Sequence, residues 1–386
     1  MLRALTVLLL VPMFARADTG PWDVAALQKA DVNPEWGPDR GAGKAREVYF
    51  VGEPYKGKPT RVFAYYARPA GEGPFPGVVC VHGGGGKAFE KWAEHWAARG
   101  YCAIAMDLAG NGPSGKLTDG GPGQDDDAKF RDFTEADAKD MWTYHAVAAV
   151  LRAHTLLAGL KEVDKSKIAV TGISWGGYLT CIVAGLDDRL KAAVPVYGCG
   201  FLHESSVWKP RLEGFTAERR DRWVKNFDPS QYLPGVKCPI LFLNGTNDFA
   251  YPMDSYKKCH ELVKKDVTVS VRIRLPHGHI WTFKEVDTFI DSHLKGGVKL
   301  ATFSDFIVKD EFATAKIVCP VKITSASLHY AVAEGPWAKR EWKSLPAVVK
   351  DGDVTAKLPA ARPLVFELAA TDERGLEVTT THAIVK

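Results

Sequence analysis

The chain has 386 residues and a formal net charge of +4, its 50 basic and 46 acidic residues interspersed. So small and mixed a charge gives no sign of a nucleic-acid partner, and the length exceeds one ordinary core, so one large and one small domain are expected. The seven cysteines include no Cys-x-x-Cys spacing, which argues against a zinc site or a thioredoxin motif. Cys80, Cys102, Cys181 and Cys319 sit in apolar runs and read as buried thiols, with one disulfide left open.

The first residues, Met1-Leu-Arg-Ala, carry a positive charge, residues 5–11 are apolar, and Ala15-Arg16-Ala17 has small-x-small spacing. Residues 1–17 therefore read as a secretory signal cleaved after Ala17. The apolar run is too short to span a bilayer, as is every later stretch, so a secreted or periplasmic protein without a membrane span is expected. Residues 18–45, rich in Pro, Gly and Trp and without a sustained period, read as a surface arm. Residues 46–51 and 60–68 suggest an antiparallel pair. Residues 75–81 form a continuous apolar run, as in a central strand covered on both faces.

That strand ends in His82-Gly-Gly-Gly-Gly. A glycine tract there lets the backbone approach a ligand and turn its N–H groups toward it, so Gly83 or Gly84 is a candidate oxyanion donor. The spacing and Lys-Ser/Thr ending of a phosphate-binding P-loop are missing. His82 comes too early in the chain for a catalytic base of this fold and reads as a brace. A helix over 89–97 and a strand over 101–106 lead to Asp107, placed to bond loop amides. Residues 109–133 form a long polar insertion. Its Asp125-Asp126-Asp127 reads as a solvated acidic loop rather than a cation site. Thr134 to Asp137 resembles a capping box, opening a helix that runs to Leu160.

The most informative stretch is Gly172-Ile173-Ser174-Trp175-Gly176, between a β-branched apolar run and a buried helix face beginning at Tyr178. In a nucleophile elbow the serine takes a strained backbone conformation, and a side chain on either flanking glycine would collide with strand or helix. The Trp175 N–H would then face a developing oxyanion. A strand over 192–197 follows. Residues 200–232, with Phe201, Trp208, Phe215 and Trp223, suggest a cap over the site. Residues 239–243 form a strand delivering Asn244-Gly-Thr-Asn-Asp248. Alternation from Val267 through Leu275 gives another, ending in Pro276-His277-Gly278-His279, and a helix covers 283–294. The repeated strand, loop, helix order implies an α/β fold with a doubly wound, mainly parallel sheet, whose sites gather at the strands' carboxyl ends. Gly83, Ser174, Asp248 and His279 all fall there.

The chain order Ser174, Asp248, His279 and the motifs His82-Gly-Gly-Gly-Gly, Gly172-Ile-Ser-Trp-Gly-Gly, Asp228-Pro-Ser-x-Tyr-Leu, Asn244-Gly-Thr-Asn-Asp and Gly278-His279 resemble the α/β-hydrolase fold. They are most similar to the branch shared by acetyl xylan esterases and the catalytic domains of prolyl oligopeptidases. The resemblance covers residues 45–297. It implies a catalytic triad of Ser174, Asp248 and His279, with Gly83 or Gly84 and Trp175 as the oxyanion hole, and neither metal nor cofactor. His279 is preferred to His277 as base because Gly-His matches the family pattern and lies further beyond the strand.

Residues 298–386 differ in character: about seven short alternating strands separated by polar or proline turns fit a small all-β sandwich of immunoglobulin or fibronectin type. Trp337 and Trp342 are candidates for sugar stacking or, more commonly, core residues. The expected organisation is a signal peptide at 1–17, a catalytic domain at 18–297 and an accessory domain at 298–386. The expected function is an exported serine esterase that removes acyl groups, acetyl above all, from carbohydrates, its partner being a small-molecule or polysaccharide ester substrate. The alternatives are a prolyl oligopeptidase-type peptidase, disfavoured because the segment before the hydrolase motifs is too short for a propeller, a glucuronoyl or other polysaccharide-linked esterase, and a non-catalytic binding protein on a hydrolase scaffold.

Overall fold

Strands that are apolar throughout must be covered on both faces, and such runs form the middle of the main sheet. The structure, a computed structural model, describes residues 19–281 and 283–386; the expected signal at 1–17 lies outside the described residues. The main sheet contains β1 (Glu35–Trp36), β2 (Arg46–Val51), β3 (Arg61–Ala67), β4 (Phe75–Val81), β5 (Cys102–Met106), β6 (Val163–Ile173), β7 (Ala192–Val196), β8 (Ile240–Gly245) and β9 (Val267–Arg272). Their spatial order is β1-β2-β3-β5-β4-β6-β7-β8-β9. The pairs from β5 to β9 are parallel, and β1, β2 and β3 form an antiparallel flank. Every residue of β5, β7 and β8 is buried. The helix Trp175–Leu186 is buried from Trp175 through Ala184, which marks a core helix rather than an amphipathic surface one.

Several elements depart from the sequence reading. The segment before β2 is part of the fold, not a surface arm: β1 extends the sheet, and Trp22 is buried against Tyr144, Phe227 and Tyr232. At 134–137 Asp137 accepts from the Thr134 N–H and hydroxyl, the reach-back half of a capping box. It precedes a 3₁₀ turn, and the helix begins only at Trp142. Asp125 N-caps the short helix Asp126–Phe130, while Asp126 pairs with Lys129 and Asp127 with Arg211. The acidic loop is thus committed to local structure, and among the described residues no His, Cys, Asp or Glu cluster is placed to hold a metal ion. All seven cysteines are free thiols, six of them buried. No helix of the described residues is long and apolar enough to cross a membrane.

Beyond residue 300 the chain builds two antiparallel sheets. One orders Thr302–Lys309, Phe312–Val318, Asp353–Lys357 and Val348–Lys350; the other orders Lys343–Pro346, Ile323–Val332, Leu364–Asp372 and Glu377–Thr379, with Ala383–Val385 also paired to Leu364–Asp372. Their alternating buried residues, among them Ala313, Ala315, Val354, Leu328 and Phe366, join one apolar cluster continuous with the main core. These sheets also bond the edge of the main sheet: Ser270 Oγ donates to Glu377 O at 2.7 Å, and Val271 N to Thr379 Oγ1 at 3.2 Å. Trp342 is 3% exposed and Trp337 half-buried, so the aromatic pair serves packing more than an open surface.

Candidate active site

Ser174 stands between β6 and the helix Trp175–Leu186 at φ 59° and ψ −121°. Such a backbone conformation costs an L-residue on the order of 1–3 kcal/mol and persists only where its surroundings impose it. Here Ser174 N donates to Val196 O, and Tyr178 N donates to Ser174 O, both at 2.9 Å. A Cβ on Gly176 would lie 2.1 Å from Val81 O, so the first turn of the helix approaches the end of β4 as closely as a glycine backbone allows. The result is a half-buried serine at the carboxyl end of β6.

The parallel pair β8 and β9 brings Asp248 and His277 to that serine. Asp248 is 2% exposed, and its Oδ1 accepts the N–H groups of Ala250 and Tyr251 at 2.9 and 2.7 Å. Its Oδ2 accepts from His277 Nδ1 at 2.6 Å, and His277 Nε2 lies 2.9 Å from Ser174 Oγ. With Nδ1 carrying the proton, Nε2 is left as the acceptor for the serine hydroxyl. Tyr197 holds the imidazole in place, stacked at 4.6 Å between ring centroids.

His279 is not in this chain of bonds, and the assignment of His279 as the partner of Ser174 is corrected to His277. The reason is where the strand stops. Alternation through Ile273 and Leu275 extended β9 to Leu275, but its pairing ends at Arg272 and Arg274 turns the chain at φ 51°. The loop therefore begins three residues earlier, and His277 takes the position facing Ser174. His279 Nε2 instead accepts the Gly83 N–H at 3.1 Å, its ring packed against Phe89 and Trp92. Burial lowers its pKa below the ordinary 6.5, with neighbouring His277 acting the same way, so it is neutral and able to accept.

The glycine tract lies beside the serine as expected, and a Cβ on Gly83 would come within 2.9 Å of Ser174 Cβ. Because the Gly83 N–H is engaged by His279, the amides left over are those of Gly84, without a protein partner among the described residues, and Trp175, one of the unpaired donors of its helix's first turn. His82 braces the loop: buried and held neutral, its pKa lowered to about 4 by burial, it donates from Nδ1 to Gly83 O and accepts the Leu108 N–H at Nε2. Asp107 accepts the N–H groups of Ala109 and Asn111. In the 200–232 insertion Trp208 packs on Trp175 at 4.5 Å, which puts this segment against the elbow.

The sequence pattern of the Dienelactone hydrolase family matches residues 62–287, from β3 to the helix after the histidine loop. The chain belongs to that family. Dienelactone hydrolase family membership agrees with the α/β-hydrolase resemblance of the motifs. The chain is 24% identical over 214 residues to Acetyl esterase Axe7A of Xylanibacter ruminicola, a match covering 50% of this chain and 46% of that protein. The chain spans roughly half the length of the curated relatives it matches. Among solved structures, the fold is similar to the acetyl xylan esterase from Paenibacillus sp. R4, with a TM-score of 0.58 and 23% identity over 70% of this chain and 92% of that one. It is also similar to acetyl xylan esterase 1 from Thermoanaerobacterium sp. JW/SL YS485, with a TM-score of 0.54 and 19% identity over 70% and 90%.

Two contributors went unread in the sequence. Tyr197, at φ 46°, carries no motif, and only the fold puts its ring on His277. Asn247 lies inside a quoted motif, yet its role depends on residues 91 and 93 positions away: its Nδ2 donates to the carbonyl groups of Ala338 at 3.1 Å and Arg340 at 2.8 Å.

Proposed function

We propose that this protein is an exported serine esterase that removes acyl groups, acetyl in the first place, from carbohydrates, with residues 1–17 as its cleaved signal. The observation that carries the reading is the unbroken run Asp248–His277–Ser174 on a strained elbow. His277 takes the Ser174 proton at Nε2 as Oγ attacks the ester carbonyl, and Asp248 holds the tautomer and stabilises the imidazolium. The N–H groups of Trp175 and Gly84 receive the oxyanion. Collapse of the adduct expels the alcohol with the proton from His277, and water, deprotonated by the same imidazole, releases the acid from Ser174. The acetyl and acetyl xylan esterases among the similar proteins support the acyl group and the carbohydrate.

Hydrolysis of p-nitrophenyl acetate and of acetylated xylan, with Ser174→Ala as control, tests the reading. The expected outcome is turnover of both, reduced by roughly 10⁴-fold or more in the variant. Turnover of a proline-containing peptide anilide in place of both esters would contradict it.

A further inference from the structure

The carbonyl of Gly83 accepts from three donors: the Gly86 N–H at 3.1 Å, His82 Nδ1 at 2.8 Å, and the side-chain amide of Gln124, whose Nε2 donates at 3.2 Å. The first two belong to the glycine tract and the histidine before it. Gln124 comes from 41 positions further along the chain, in the polar insertion 109–133. It stands just ahead of Asp125, which caps the helix Asp126–Phe130. That helix is seated on the elbow, with Phe130 against the Trp175 ring and Lys129 Nζ over it at 4.8 Å.

A trans peptide points its C=O and N–H in opposite directions. Gripping the Gly83 carbonyl therefore fixes the direction of the Gly84 N–H, the amide assigned above to the oxyanion. With glycine on both sides of this peptide, the backbone can swing it over at little steric cost. A peptide turned over would present a carbonyl oxygen in place of the N–H and repel the charge it has to receive. Gly83 O is the one hydrogen-bond partner of the Gln124 side chain among the described residues, its Oε1 being buried without one. An unspent buried acceptor costs folding free energy, so packing alone does not account for a glutamine here.

We infer that Gln124 is a positioning residue of the oxyanion hole: by donating to the Gly83 carbonyl it keeps the Gly83–Gly84 peptide turned with the Gly84 N–H toward the developing oxyanion. This role deepens the proposed mechanism, on which it rests, and gives the 109–133 insertion a part in the rate. Gln124 acts through one backbone carbonyl and not on the substrate itself. Its effect therefore falls on the transition state, where the oxyanion exists, and not on ground-state binding.

Two variants test the role: Gln124→Met keeps the length and loses the donor, and Gln124→Glu keeps the shape and sets a carboxylate against the carbonyl. Each is assayed for kcat and KM with p-nitrophenyl acetate and for Ki with trifluoroacetophenone. Ser174 Oγ adds to that ketone: the serine proton passes to His277, the O–C bond forms, and the carbonyl π pair becomes an oxyanion. The expected result is a fall in kcat of about 10- to 100-fold with KM within about twofold, and a Ki raised by the same factor. The melting midpoint of Gln124→Met is expected not to fall; should that variant fail to fold, Gln124→Glu decides. A kcat and Ki within about twofold of the parent, or a loss seen in KM with Ki unchanged, would overturn the role. Turnover of a peptide anilide in place of the ester, with the same slowing and the same rise in Ki, would remove the esterase reading and leave the role of Gln124 standing.

Discussion

The elbow at Ser174 and the loop bearing His277 meet at one hydrogen bond, yet they are held in place by different means. At the elbow, neighbours in the chain set the geometry: Gly172, Ser174 and Gly176 fall between a strand and its helix, and the shortest contact is backbone to backbone. The histidine loop has no such local rule. Its imidazole is placed by Asp248, 29 positions upstream, and by Tyr197, 80 positions upstream. A nucleophile written into consecutive residues is legible from the chain alone, whereas a base positioned by distant partners depends on where a strand ends.

The comparison can be broken from either side. The largest effect is expected in the loop: Asp248→Asn keeps the shape but lets the imidazole take the wrong tautomer, with a fall in kcat of roughly 10³–10⁴-fold and little change in thermal stability. At the elbow the expected damage is to folding. A methyl on Gly176 would meet Val81 O at 2.1 Å, so Gly176→Ala is expected to lower stability by about 3 kcal/mol or more, seen in the denaturation midpoint as well as in lost activity. If Gly176→Ala kept both stability and rate, the elbow would not be the rigid half of the pair.

A smaller change, remote from both regions, sets the baseline. Glu367 is fully buried in the C-terminal strand Leu364–Asp372, neither of its carboxylate oxygens has a partner among the described residues, and burial, with Glu377 adding to it, raises its pKa well above 4.5. A raised pKa means that the folded protein keeps a proton that the unfolded chain gives up. Stability from this group is therefore complete below about pH 4.5 and declines as pH rises toward the folded value. Glu367→Gln is expected to change little at pH 5 and to stabilise by about 1 kcal/mol or more at pH 8, measured by urea unfolding, with ester turnover unaffected.

The main sheet was legible because its central parallel strands β4, β5, β7 and β8 are continuous apolar runs, its edge strand β9 alternates, and the strands end in glycine- or aspartate-bearing loops. Ser174, Asp248 and the glycine tract were found on that basis. What failed to show in the sequence has a physical cause in each case. The N-terminal segment has no sustained period because it is held by Trp22, by Leu27 of the six-residue helix Val24–Lys29 and by a two-residue strand, each too short for a pattern. Beyond Arg272 the residues Ile273 and Leu275 continue an alternation that the backbone abandons at Arg274. The contacts of Asn247 with the turn after Trp337 join two parts of the chain that share no motif.

The most direct test of this account is kcat/KM for p-nitrophenyl acetate in His277→Ala and His279→Ala, measured side by side at pH 7.5 with folding checked by circular dichroism. The account predicts a loss of roughly 10⁴-fold or more for His277→Ala and of no more than about tenfold for His279→Ala, which removes only a brace on the Gly83 loop. The reverse ranking, with His279 indispensable and His277 replaceable, would contradict it.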